Sequence, residues 1–159
     1  MLVGIYTSPE RAQPICGHET IEVTPTGLMG DRYATGKGFY SGNQEWDAHV
    51  TLIQQEPFDE LFVQQGMKID PKELRRNLVT KNIDLNWLVG KEFQIGETVI
   101  LRGRKPWPPC KHIVELTGKG EIFKYLGKQC GLGADVLVGG RIRIGDPIFA
   151  RPGPAQRSP

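Results

Sequence analysis

Apolar residues recur along this chain mostly in short runs that alternate with polar ones, bounded by glycine, proline and polar clusters; long helical periodicities are scarce. Alternation places successive side chains on opposite faces of a strand, so the pattern predicts short strands joined by tight turns and a mainly β protein. Leu2 to Tyr6 and Thr20 to Val23 are predicted strands, and Pro25-Thr26-Gly27 turns the chain after the second. His49-Val50-Thr51-Leu52-Ile53 is the clearest strand, apolar and β-branched, ended by Gln54-Gln55. A helix should follow: Pro57 suits a first turn, Phe58, Leu61, Phe62 and Gln65 share one face, and Gly66 stops it. Asp70-Pro71-Lys72-Glu73 reads as a capped helical turn that delivers Arg75, Arg76 and Asn77 to another strand at Leu78-Val79-Thr80.

The segment from Gly90 to Arg102 has an echo about forty-nine positions later: Gly90 aligns with Gly139, Ile95-Gly96-Glu97 with Ile144-Gly145-Asp146, and Arg102 with Arg151. Both copies read as strand, Gly-acid turn, strand, the signature of an antiparallel hairpin. Hairpins repeated around a compact sheet suit a β-barrel with a few short helices. Between the copies, Ile122, Phe123 and Leu126 share a helical face, and Cys130-Gly131-Leu132-Gly133 leads into a strand at Ala134 to Val138, read as either an exposed edge open to a homodimer contact or an interior strand. Residues 1–151 read as one domain, and the proline-rich polar tail 152–159 as disordered.

Composition narrows the class. With 159 residues, 24% charged and 38% hydrophobic, the chain has enough material for one core. A formal charge of +2, with basic residues spread along the chain, does not point to nucleic acid. The N-terminus lacks a signal-peptide pattern and no stretch is long enough to span a bilayer, so the expectation is a cytoplasmic protein away from membranes. Three cysteines without Cys-x-x-Cys spacing argue against a disulfide framework or an all-cysteine zinc site.

Candidate chemistry concentrates at three places. Trp107-Pro108-Pro109-Cys110-Lys111-His112 sets a thiol after a stiff Pro-Pro approach with two nitrogen bases behind it. Positive charge at Lys111, or at His112 when protonated, favours the thiolate of Cys110; the competing reading is a small buried hydrophobe. Gly27 to Tyr40 is a glycine-punctuated loop bearing Asp31, Arg32 and aromatics, and loops of that length are usually functional when ordered. Arg75, Arg76 and Asn77 stand at an element boundary, where guanidinium forks suit a phosphate or another anion.

Taken in order, Gly30-Asp31-Arg32-Tyr33-Ala34, Val50-Thr51-Leu52-Ile53, Leu74-Arg75-Arg76-Asn77-Leu78-Val79, Phe93-Gln94-Ile95-Gly96, Pro109-Cys110 and Gly139-Gly140-Arg141-Ile142-Arg143-Ile144-Gly145-Asp146 resemble the MOSC domain family, named for the C-terminal domain of molybdenum cofactor sulfurase. The resemblance is to its standalone bacterial members and implies an antiparallel β-barrel that binds molybdenum cofactor (molybdopterin). It implies Cys110 as molybdenum ligand in an oxidoreductase acting on N-hydroxylated or oxidised small molecules, or as the carrier of a persulfide in a sulfur transferase. By the same resemblance Arg75, Arg76 and Asn77 contact the cofactor, with Asp31 and Arg32 beside them, and Lys111 and His112 assist Cys110. Ala48-His49 departs from the Arg-Gln of many standalone members. No pyridoxal-phosphate lysine domain, ferredoxin-type cysteine cluster or dinucleotide fingerprint is present in the sequence, so the partner would be a separate electron-donor reductase or cysteine desulfurase.

Overall fold

The computed structural model describes residues 1–109, 115, 118, 120, 126 and 131–153. Its strands are β1 (Leu2–Thr7), β2 (Cys16–Gly17), β3 (Thr20–Thr24), β4 (Gly27–Leu28), β5 (Val50–Gln54), β6 (Leu78–Thr80), β7 (Glu92–Ile95), β8 (Val99–Pro106), β9 (Leu132–Val138), β10 (Gly140–Arg143) and β11 (Ile148–Ala150). One α-helix, α1 (Glu56–Gln65), and a 3-10 turn at Pro71–Leu74 lie among the described residues. The protein is mainly β, as the alternating pattern predicts.

Eight strands form one curled sheet in the order β11-β7-β8-β9-β5-β6-β1-β2, a half-barrel that is open along its two outer strands among the described residues. A smaller sheet, β10-β3-β4, packs Ile142, Ile21, Val23 and Leu28 into the same core. Pairing is antiparallel except between β5 and β6, which run parallel with Leu52 opposite Leu78. That parallel pair needs a crossover. The predicted helix and capped turn supply it.

β5 explains how the core divides. Leu52 packs into the large cluster inside the half-barrel with Leu78, Phe93, Ile95, Val99, Leu101 and Leu132. Its neighbour Ile53 points the other way, into a second cluster with Val79, Phe58, Leu61, Ile69, Leu74 and Leu126. Successive strand residues face opposite sides, so a strand covered on both reads as a continuous apolar run. β1 reaches the inner cluster with Leu2 and Ile5, three positions apart, because an extra residue is accommodated between Leu2 and Gly4 opposite β6.

α1 ends as its sequence predicts, with Gly66 at φ 65° and its N–H donating to the Phe62 carbonyl. Its buried face is narrower than predicted: Phe58 and Leu61 are buried, whereas Phe62 is 54% exposed. The outer cluster covers only the stripe above Ile53 and Val79, and Phe62 lies beyond its margin. Burying Phe58 contributes about 1.5–3 kcal/mol on area bookkeeping. The turn at Pro71–Leu74 carries the predicted capping box, with Asp70 Oδ1 accepting from Lys72 N and Glu73 Oε1 from Asp70 N.

The two echoed segments part company. The first forms the predicted hairpin, β7 against β8 with Ile95 opposite Val99. The second does not pair with itself: β10 joins β3, and β11 joins β7. Its Gly145-Asp146 turn is held by the N-terminal strand instead, Gly145 N–H donating to the Leu2 carbonyl at 2.8 Å and Leu2 N–H to the Asp146 carbonyl at 2.9 Å. The strands on either side of that turn lie in different sheets. β9 lies between β8 and β5, but its register with β5 runs over Leu132 to Ala134; Val136 and Val138 pair with β8, and Leu137 and Val138 are exposed. No helix among the described residues is long and apolar enough to cross a membrane.

Candidate functional site

The chain at Cys110, Lys111 and His112 lies outside the described residues, as do Cys130 and most of the predicted helical face at 118–127. What is described is the approach to Cys110, and it is firmly held. Trp107 is 2% exposed, and its N–H donates to the Gly131 carbonyl at 2.8 Å. Its ring meets Trp46 at 5.6 Å and Tyr40 at 6.2 Å, both edge-on, the geometry aromatic pairs prefer. A side chain at position 133 would place its Cβ 2.5 Å from the Trp107 ring, so the close approach requires glycine there.

Arg76 fastens this approach to the start of β6. Its buried guanidinium donates from one nitrogen to the Pro108 carbonyl at 2.9 Å and the Trp107 carbonyl at 3.4 Å. Bonds from a charged donor are stronger than neutral ones, so the Pro-Pro segment is tied to the same element that carries Arg75 and Asn77.

Asp31 and Arg32 form the opposite anchor. Asp31 is 1% exposed, and its carboxylate accepts from Ser8 N at 3.0 Å, Tyr33 N at 3.1 Å and the Arg32 guanidinium at 3.2 Å. Arg32 N–H donates back to the Ser8 carbonyl at 2.8 Å. Those three donors satisfy the oxygens of a carboxylate that water does not reach. Arg32 also lies over the Tyr33 ring at 4.8 Å and donates to the Arg75 carbonyl at 3.0 Å.

Arg75 is the residue this scaffold presents. It sits at φ 58°, ψ 32°, a left-handed conformation that costs a non-glycine residue about 1–3 kcal/mol and persists only where surroundings enforce it. The bond from Arg32 to its carbonyl is such a constraint. Its guanidinium is half-buried and donates to Ser8 Oγ at 3.2 Å; among the described residues no carboxylate lies within ion-pair distance of it. Burial, and then the neighbouring Arg32 charge, push its pKa below the ordinary arginine value, opposed by Tyr33 and Asp31. A guanidinium keeps its proton regardless, so the same two causes make an incoming anion favourable. Arg75 lines an open cleft of about 710 Å³ with Tyr6, Ala12, Ile15, Gly17, Lys72 and Glu73.

Asn77 has a different placement. It is 1% exposed, its Oδ1 accepts from Thr51 N and Thr51 Oγ1 at 3.0 Å each, and its Nδ2 donates to the Tyr6 carbonyl at 3.3 Å. It stitches β1, β5 and β6 together, and so positions its arginine neighbours through the backbone. The structure thus brings Asp31, Arg32 and Arg75 into one cluster, sends Arg76 to the Cys110 approach, and turns Asn77 inward. Sequence reasoning missed Ser8, the hinge of the cluster; the only local signal is Pro9 after a strand. His49, at the start of the strand predicted from sequence, accepts with Nδ1 from Val136 N at 3.0 Å.

A family model for the MOSC domain matches residues 30–149. The chain belongs to the MOSC domain family. Among solved structures, this MOSC domain is similar to YuaD from Bacillus subtilis, with a TM-score of 0.76 at 17% identity over 92% of each chain. It is also similar to YiiM from Geobacillus stearothermophilus, with a TM-score of 0.67 at 14% identity over 94% of this chain and 74% of that one. YiiM from Escherichia coli gives a TM-score of 0.65 at 19% identity over 96% and 71%. A comparison with curated proteins found no match. At these identities the structures share the fold. Among the described residues no group of three or more His, Cys, Asp or Glu side chains is placed to hold a metal ion.

Proposed function

We propose that this MOSC domain binds molybdenum cofactor and reduces N-hydroxylated or oxidised small molecules, with Cys110 as the metal ligand. The observation that carries the proposal is Arg75, a half-buried cation beside Arg32 with no described carboxylate partner, opening on a cleft that also holds Lys72. A pterin cofactor ends in a phosphate, and charge-assisted donors are the groups that recognise one. The donor set therefore fits the cofactor's anionic end. Arg75 and Lys72 would hold that end, and Asp31, Arg32 and Ser8 would keep Arg75 aimed.

When bound, the molybdenum centre supplies electron exchange with the substrate, and the protein supplies position and polarity. Arg76 holds the Pro108 carbonyl, which limits how far the chain can wander before Cys110. Lys111 and His112 would favour the Cys110 thiolate and bring protons. For an N-hydroxylated amine, an electron pair from a separate reductase and two protons enter, the N–O bond breaks, and the amine and water leave. A cysteine desulfurase partner belongs to the competing sulfur-carrier reading.

The test is molybdenum content by elemental analysis of protein made in cells competent for cofactor synthesis, wild type against Cys110→Ser. Stoichiometric metal in the wild type and its loss in the variant supports the proposal. Absence of metal from both rejects it, and mass spectrometry for a persulfide on Cys110 then decides for sulfur transfer.

A further inference from the structure

A second cleft, of about 640 Å³, is built where β7, β8 and the end of β11 come together. Glu92 of β7 stands opposite Arg102 of β8, and Arg151 N–H donates to the Glu92 carbonyl at 2.8 Å, so these side chains share one neighbourhood. The Glu92 carboxylate takes both guanidiniums, Arg102 on Oε1 at 2.7 Å and Arg151 on Oε2 at 3.6 Å. Lys91 has no described carboxylate partner and places its ammonium 3.4 Å from the centre of the Trp87 ring. Three cations against one carboxylate leave an excess of two positive charges in the cleft.

We propose that this cleft binds a planar aromatic ligand carrying a phosphate, of mononucleotide size. Solvated ion pairs need no concavity and no aromatic wall. Here Trp87 is 55% exposed although Lys91 covers part of it, an uncommon expenditure of indole surface in water. The exposed ring offers a stacking platform, and aromatic stacking accepts any flat base. Arg102 and Arg151 are held side by side by Glu92, and guanidinium forks match phosphate oxygens. The cleft volume lies within the range of small-molecule sites. The site is separate from the Arg75 cleft: the two share no lining residue.

Calorimetric titration of the full chain with adenosine monophosphate, adenosine and inorganic phosphate tests this. The monophosphate should bind about tenfold or more tightly than either fragment. Trp87→Leu and Arg151→Gln, both at exposed positions, should each weaken it by about tenfold, whereas Arg75→Gly should change it less than about twofold. No measurable binding of the monophosphate, or unchanged binding in the Trp87→Leu Arg151→Gln double variant, overturns the proposal. So does inorganic phosphate binding as tightly as the monophosphate, which removes the ring's part, or loss of binding in Arg75→Gly, which places the ligand in the other cleft.

Discussion

Arg32 and Arg102 each pair with one carboxylate, and the two pairs teach opposite lessons. Arg102 and Glu92 have the shorter contact, 2.7 Å against 3.2 Å for Arg32 and Asp31. Yet Arg102 and Glu92 are 53% and 36% exposed at the side chain, whereas Arg32 and Asp31 are 7% and 1%. Water screens the exposed pair and holding two long side chains costs entropy, so its net contribution is about 0–1 kcal/mol. The buried pair cannot lose a member without stranding the other charge. Distance ranks these pairs wrongly; burial and the extra donors from Ser8 and Tyr33 rank them correctly.

The largest effect should follow Asp31→Ala, which leaves the Arg32 guanidinium and the Ser8 and Tyr33 N–H groups without their acceptor. A loss of about 3–5 kcal/mol in urea unfolding is expected. A loss below about 1 kcal/mol would put the buried pair on the same footing as the exposed one. Asn77→Ala comes next, because it strands Thr51 N–H, and should cost about 1–3 kcal/mol by the same measurement. Glu92→Gln, at the exposed pair, should shift stability by no more than about 1 kcal/mol, and a larger shift would mean that the outer network is structural.

The smallest effect concerns pH. Asp59 is held below its ordinary value, first by the bond from Gln55 and then by Lys81, with burial opposing. A carboxylate whose folded pKa is depressed adds stability above its unfolded pKa and loses it as pH falls through the folded one. The window therefore lies below the ordinary value of 3.8. Asp59 is largely exposed, so solvent discounts the effect to at most about 0.5 kcal/mol. Asp59→Asn should flatten acid unfolding slightly in that window, and a steeper curve would reverse the sign.

Local signals carried well from sequence to structure. Pro57 and Gly66 bracket α1, and Asp70 with Glu73 makes the capping box, because each of these acts within a single turn of chain. The MOSC pattern was legible through its ordered motifs. What could not be read locally is what depends on distant partners. The Gly-acid turns of the two echoes look alike, but the second is bonded to Leu2, far away in sequence, and its flanking strands pair with β3 and β7 and not with each other. Asp31 gives no hint of Ser8, nor Asn77 of Thr51 and Tyr6, for the same reason. Phe62 fits the apolar stripe of α1 and is exposed because the stripe is wider than the surface that covers it.

On the proposed function, Arg75 is kept in a left-handed conformation to receive an anion, not to stabilise the fold. Arg75→Gly separates the two, since glycine accepts that conformation without strain and lacks the guanidinium. Molybdenum content should be measured in this variant beside wild type, with thermal unfolding on the same preparations. Stability within about 1 kcal/mol of wild type is expected together with loss of the metal. Full metal content in a stably folded Arg75→Gly protein would contradict it.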